Sequence, residues 1–102
     1  MASAVHEKIE GILNQHKIVL FMKGNQQFPM CGFSARACAI LQDMGVAFHD
    51  INVLEDEEIR NGIKEYGNWP TIPQLYINKQ LVGGSDIMME MYQSGELQDL
   101  LK

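Results

Sequence analysis

Residues 18–51 decide the fold. They begin with the apolar run Ile18-Val19-Leu20-Phe21-Met22, pass through Lys23-Gly24, reach Pro29-Met30-Cys31-Gly32-Phe33-Ser34, and end on Val46 to Ile51. An apolar run of this length has the size of a buried strand, here Lys17 to Met22, and apolar side chains on both faces place it in mid-sheet. Lys23 to Met30 carries Gly24 and Pro29 and reads as a loop. A helix follows from about Gly32 to Met44, with Gly45 placed to end it. Val46 to Ile51 reads as a second strand. Strand, helix and strand in that order form a βαβ unit, whose strands are parallel and whose crossover is right-handed.

Working outward, the flanks extend the same alternation. Ser3 is placed to cap a first helix with the stripe Val5, Ile9, Ile12 and Leu13. Glu55, Asp56, Glu57 and Glu58 sit where a third helix begins, which suits the positive end of its dipole. Ile59, Ile63 and Tyr66 mark its buried face, and Gly67-Asn68-Trp69-Pro70 breaks it. Gln74 to Ile77 and Gln80 to Val82 are short strands around an Asn78-Lys79 hairpin turn. Gly83-Gly84 is a bend, and Ser85 or Asp86 caps a helix carrying Ile87, Met88, Met91 and Tyr92. Met88 and Met91 are core residues of that helix and Met89 is an exposed one. Gly95 ends it, and Glu96 to Leu101 forms a last turn or two. The result is an α/β domain, α-β-α-β-α-β-β-α with a short final helix. It has a four-stranded mixed sheet and helices on both faces.

The chain has 102 residues, enough for one domain and one core (1–102). Its 8 Lys+Arg stand against 13 Asp+Glu, a formal net charge of −5. That excludes the broad basic surface that nucleic-acid binding needs. No apolar run approaches the roughly 20 residues of a membrane helix, so no membrane role is expected. The N-terminal residues lack a signal-peptide pattern. The expected location is cytoplasmic, or an organelle matrix or stroma if a transit peptide has been removed.

Cys31 carries the strongest chemical signal. It stands after a strand and at the entrance to a helix, where unpaired N–H groups favour a thiolate. Lys23, at the end of the preceding strand, adds a positive charge. Such a thiolate serves as a nucleophile or as a soft metal ligand. Three residues on, where a dithiol motif has its resolving cysteine, stands Ser34. Cys38 cannot replace it. It lies on the same helix, about 10 Å away by helical rise, and disulfide Cα atoms must come within about 7 Å. Cys38 is expected to be a small buried residue. His6, His16 and His49 show no metal-ligand spacing, and Asp43 and Asp50 read as a solvated face.

Four blocks carry a resemblance that spans most of the chain. They are Met22-Lys23-Gly24, then Pro29-Met30-Cys31-Gly32-Phe33-Ser34, then Trp69-Pro70-Thr71-Ile72-Pro73-Gln74, then Gly83-Gly84-Ser85-Asp86. In this order they resemble the monothiol, CGFS-type glutaredoxins of the thioredoxin-like superfamily. Many of those relatives have Cys where this chain has Ser85.

The resemblance implies a glutaredoxin fold with Pro73 in the cis form opposite Cys31, although a trans-proline at a strand entrance also fits the residues. Ile72 would then offer its backbone to glutathione by strand addition. Lys23 and Arg60 match positions that hold the glycine-end carboxylate. Ser85 and Asp86 match positions that hold the γ-glutamyl end. By the residues alone, Arg60 is a solvated helix charge and Asp86 a helix cap. The resemblance also implies that Cys31 ligates a 2Fe-2S cluster. Such a cluster needs four ligands. Two chains and two glutathione thiols supply them, giving a homodimeric iron–sulfur carrier that works with BolA-like proteins and apo iron–sulfur recipients. The alternative is a glutathione-dependent thiol–disulfide oxidoreductase with Cys31 as nucleophile, an activity that such family members perform poorly.

Overall fold

The computed structural model describes residues 4–101. The elements are α1 (Ala4–Gln15), β1 (Ile18–Met22), α2 (Gly32–Asp43), β2 (His49–Asn52), α3 (Glu57–Tyr66), β3 (Gln74–Ile77), β4 (Gln80–Gly83), α4 (Ser85–Ser94) and α5 (Glu96–Leu100). The sheet order is β2-β1-β3-β4. β1 pairs parallel to β2 and antiparallel to β3, and β3 pairs antiparallel to β4. This is the expected α/β mixed sheet.

β1 lies in mid-sheet, as its apolar run requires. Its side chains alternate between two cores. Leu20 and Met22 pack with Ala37, Cys38, Leu41, Met88 and Leu97 from α2, α4 and α5. Val19 and Phe21 pack with Ile9, Leu13, Ile59 and Ile63 from α1 and α3. Val19, Leu20, Phe21 and Met22 are all fully buried. Each contributes about 1.5–3 kcal/mol by leaving water. Helices therefore cover both faces and hold rigid the strand end that leads to Cys31.

Several boundaries differ from the sequence reading. β2 begins at His49 instead of Val46, because the Val46 N–H is spent on closing α2, bonding back to the Leu41 carbonyl at 3.4 Å. β1 begins at Ile18, and its register pairs Val19 with His49 and Met22 with Asn52. α3 starts at Glu57 behind Asp56, whose carboxylate accepts from the Ile59 N–H at 3.1 Å. The Ser3 cap lies outside the described residues. Asn78 and Lys79 turn the hairpin at positive φ, 51° and 70°, as the turn requires. Met89 is half-buried against the α2 core instead of exposed, since α4 presses a wider face onto it than its apolar spacing implies.

The cap of α4 is neither Ser85 nor Asp86. Gly84 holds the N-cap position in extended conformation, and its carbonyl accepts from the Met88 N–H at 2.9 Å. Ser85 thereby becomes the first helical residue and is buried. Asp86, one residue further on, projects an exposed carboxylate.

Candidate functional site

Cys31 is the N-cap of α2, with extended backbone at φ −154° and ψ 139°. Its side chain makes no cap hydrogen bond of normal geometry. The helix end acts on the sulfur electrostatically. The Ser34 backbone N–H does most to lower the thiol's pKa; partial burial opposes it, and the Phe33 N–H, the Lys23 ammonium and the Ser34 hydroxyl add to the lowering. The net direction is below the ordinary value of 9.0, toward thiolate. Cys31 is half-buried, so the sulfur remains accessible.

The loop that delivers Cys31 is tied down at several points. Met30 donates its N–H to the Lys23 carbonyl at 2.9 Å, and the Lys23 N–H reaches the buried Ser34 hydroxyl at 3.0 Å. The Gly24 N–H bonds Asn52 Oδ1 at 3.0 Å, and the Gln26 N–H bonds Asp50 Oδ2 at 2.8 Å. Gly24 needs its lack of a side chain. It sits at φ +87°, and a Cβ there would lie 2.3 Å from the Phe28 carbonyl oxygen.

Cys31 opens into a cleft of about 430 Å³, within the range of small-molecule sites. Lys23, Phe33, Lys64, Trp69, the Pro70–Pro73 segment and the Gly84–Ile87 segment line it. The Ile72–Pro73 bond is cis, and Ile72 lies just beyond the last β1–β3 pair, Phe21 with Gln74. Gly84 lets this wall close. A Cβ on it would stand 3.3 Å from the Pro73 carbonyl oxygen and 3.5 Å from Trp69 Nε1. The chain's own backbone is what approaches here.

The structure thus brings Lys23, Cys31, Ile72, Ser85 and Asp86 together around one cleft. Arg60 is not among the lining residues. Lys64, one helical turn later on α3, takes a place in the wall. Sequence reasoning missed Lys64, although its spacing of four from Arg60 puts both on one helix face. It also missed the work of two polar residues on β2. Asp50 is not a solvated charge but an acceptor for the cysteine loop, and Asn52 joins that loop to the turn after β2, accepting from the Leu54 N–H as well. Asp43 accepts from the Tyr92 hydroxyl, linking α2 to α4. His16 and His49 stack on each other, with centroids 3.9 Å apart.

The glutaredoxin family model matches residues 18–82, which runs from β1 through the cysteine loop and the cis-proline to β4. The chain belongs to the glutaredoxin family, among its monothiol members. It is 53% identical to a ycf64-like monothiol glutaredoxin of Synechocystis sp. over 93% of this chain and 89% of the relative. It is 52% identical to a chloroplastic monothiol glutaredoxin of Arabidopsis thaliana, over 91% of this chain and 54% of that protein. The solution structure of reduced poplar apo GrxS14 superposes with a TM-score of 0.85 at 47% identity, covering 96% of this chain and 90% of that one. This glutaredoxin also shares its fold with a buckwheat glutaredoxin solved as a glutathione complex, TM-score 0.85 at 22% identity over 95% and 86% of the two chains. No helix among the described residues is long and apolar enough to cross a membrane.

Proposed function

We propose that the chain binds glutathione in the Cys31 cleft and that two copies carry a 2Fe-2S cluster between them. The observation that carries this reading is the single thiolate-favouring sulfur at the mouth of the cleft, with the Ser34 hydroxyl where a dithiol glutaredoxin has a second thiol. Among the described residues no group of three or more His, Cys, Asp or Glu gathers to hold a metal. In this reading one chain supplies one ligand, Cys31. Cys38 is buried and cannot become a second. Four thiolates are reached with two Cys31 and two glutathione sulfurs. The cluster supplies the iron–sulfur cargo; the chain positions the thiols.

In this reading Lys23 and Lys64 hold the glycine-end carboxylate by charge, and Arg60 joins them from outside the lining. Ile72 offers its backbone to the middle of the tripeptide as an added strand. The backbone N–H groups of Ser85 and Asp86 receive the γ-glutamyl carboxylate at the start of α4, and the Asp86 carboxylate receives its ammonium. A carrier of this kind delivers to apo iron–sulfur recipients, with BolA-like proteins as partners. It works in a reducing compartment, the cytoplasm or an organelle matrix or stroma.

The half-exposed Cys31 also supports a second reading, thiol–disulfide exchange. The Cys31 thiolate attacks the glutathione sulfur of a mixed disulfide and the protein thiolate leaves. A second glutathione thiolate then attacks the Cys31–glutathione disulfide, releasing Cys31 and glutathione disulfide.

Anaerobic reconstitution with iron, sulfide and glutathione separates the two. The carrier reading expects a brown dimer by absorption and sizing, reverting to a colourless monomer when glutathione is removed. A colourless monomer throughout, with steady turnover of a glutathione mixed disulfide, leaves the exchange reading in its place.

A further inference from the structure

Asp86 is the one carboxylate among the described residues that line the cleft, and it is not alone. Arg36 on α2 donates from Nη1 to Asp86 Oδ1 at 3.1 Å. The contact joins residues 50 apart in sequence and bridges the second turn of α2 to the first turn of α4. It is made through one nitrogen and one oxygen. Asp86 Oδ2 and the remaining guanidinium donors make no hydrogen bond with any described residue.

Fold stability does not account for this pair. Both side chains are largely exposed, at 45% for Arg36 and 84% for Asp86, and an ion pair in that setting does little for folding. The placement of Arg36 also runs against one helix dipole. Beside Asp86 in the first turn of α4, a cation stands at the positive end of that helix. What the arrangement does produce is a minus in the cleft wall and a plus beside it, outside the lining but in contact with Asp86, each with unused hydrogen-bonding capacity. A free α-amino-acid head carries the complementary pair, a carboxylate and an ammonium on one carbon.

We propose that Arg36 and Asp86 together read the zwitterionic α-amino-acid head of the γ-glutamyl group. Arg36 faces the α-carboxylate from beside the cleft while the Ser85 and Asp86 N–H groups hold it from the start of α4, and Asp86 faces the ammonium through Oδ2. Arg36 is thus a specificity-determining residue of the cleft. The inference rests on glutathione being the ligand.

The test uses the whole chain and the fluorescence of Trp69, the one tryptophan of the sequence and a residue of the cleft wall. Three ligands are titrated: glutathione, its deaminated analogue glutaryl-cysteinyl-glycine, and its decarboxylated analogue γ-aminobutyryl-cysteinyl-glycine. Wild type prefers glutathione to both. Arg36→Gln weakens glutathione roughly threefold to tenfold and narrows the discrimination against the decarboxylated analogue by the same factor, the Ser85 and Asp86 N–H groups keeping the rest, while the discrimination against the deaminated analogue is unchanged. Asp86→Asn shows the reverse pattern. Arg36→Lys, which keeps the charge without the fork, recovers part of the loss. The inference is overturned if Arg36→Gln binds glutathione as well as wild type or better, or if it weakens all three ligands equally. Lys23→Ala is the control. If it still loses affinity while Arg36→Gln does not, the glutathione cleft stands and only the head-group reader falls. If wild type binds no glutathione, the underlying reading falls with it.

Discussion

Cys31 and Cys38 are the same residue on the same helix, and the fold gives them opposite chemistry. Cys31 caps α2 and meets the helix while its first N–H groups are still unpaired; these and Lys23 lower its pKa. Cys38 lies two turns on, where the backbone N–H groups are already spent on the helix. It is 2% exposed, and its sulfur touches the Met22 sulfur at 3.4 Å. Burial, with the Asp50 charge, pushes its thiol up to about 11. The difference lies in position along a helix and in water, not in residue type. A cysteine becomes a ligand or nucleophile where a helix begins at a cleft, and a small apolar group where the helix is packed.

The strongest way to break this comparison is alkylation of the native protein with iodoacetamide near pH 8. Cys31 is expected to react at least about a hundredfold faster than Cys38, because the latter must wait for opening of the fold. Cys31→Ser then abolishes fast labelling altogether. Comparable rates at the two sites would show that α2 does not protect its middle.

Next in size are the cleft cations. Lys23→Ala and Lys64→Ala are each expected to weaken glutathione roughly tenfold by calorimetry, the scale of one charge-assisted hydrogen bond. An unaltered affinity for Lys64→Ala would return the glycine-end carboxylate to Arg60.

Smaller still is the packing side of the contrast. Cys38→Ala is expected to cost about 1–2 kcal/mol in urea unfolding by leaving a small void beside Met22, with the Cys31 alkylation rate unchanged. It also changes the alkaline limb. The raised thiol of Cys38 favours the folded state only while neutral, so its contribution is intact below the unfolded value of 9.0 and is lost as pH rises toward about 11. The variant lacks that loss.

The smallest effect is on the electrostatics of Cys31 itself. Lys23→Ala is expected to move the midpoint of Cys31 alkylation upward without restoring the ordinary value, since the Ser34 and Phe33 N–H groups remain. A full return to 9.0 would make Lys23, not the helix end, the dominant cause.

Much of this was legible in the chain. The apolar run 18–22 placed β1 in mid-sheet, the Asn78-Lys79 pair marked the hairpin, and the four motif blocks converge on one cleft because each sits at the end of a strand or the start of a helix. What escaped was tertiary. The Val46 N–H closes α2 through a bond that no periodicity displays. Gly84 rather than Ser85 or Asp86 caps α4, at a place where a Cβ would crowd the Pro73 carbonyl. Lys64 enters the cleft in place of Arg60 because, on the same face, it lies one turn further along α3, where the Trp69 N–H of the cleft wall bonds its carbonyl at 3.0 Å, a contact that the apolar stripe of α3 does not display. Asp50 and Asn52 look like surface residues until the loop they hold is folded over them. Arg36 carries no motif at all and acquires meaning only from the position of Asp86.

The most direct test of the central claim is the pH dependence of alkylation in wild-type protein, with both cysteines followed separately by mass spectrometry. Stability from an ionised Cys31 is present above the unfolded value of 9.0 and fades as pH falls through the lower folded one. Reactivity follows the same thiolate. The account predicts a Cys31 midpoint below 9.0 and a Cys38 that stays unlabelled across the range where the protein is folded. A Cys31 midpoint at or above 9.0, or a Cys38 that labels alongside it, would contradict the claim that the start of α2 makes the reactive sulfur.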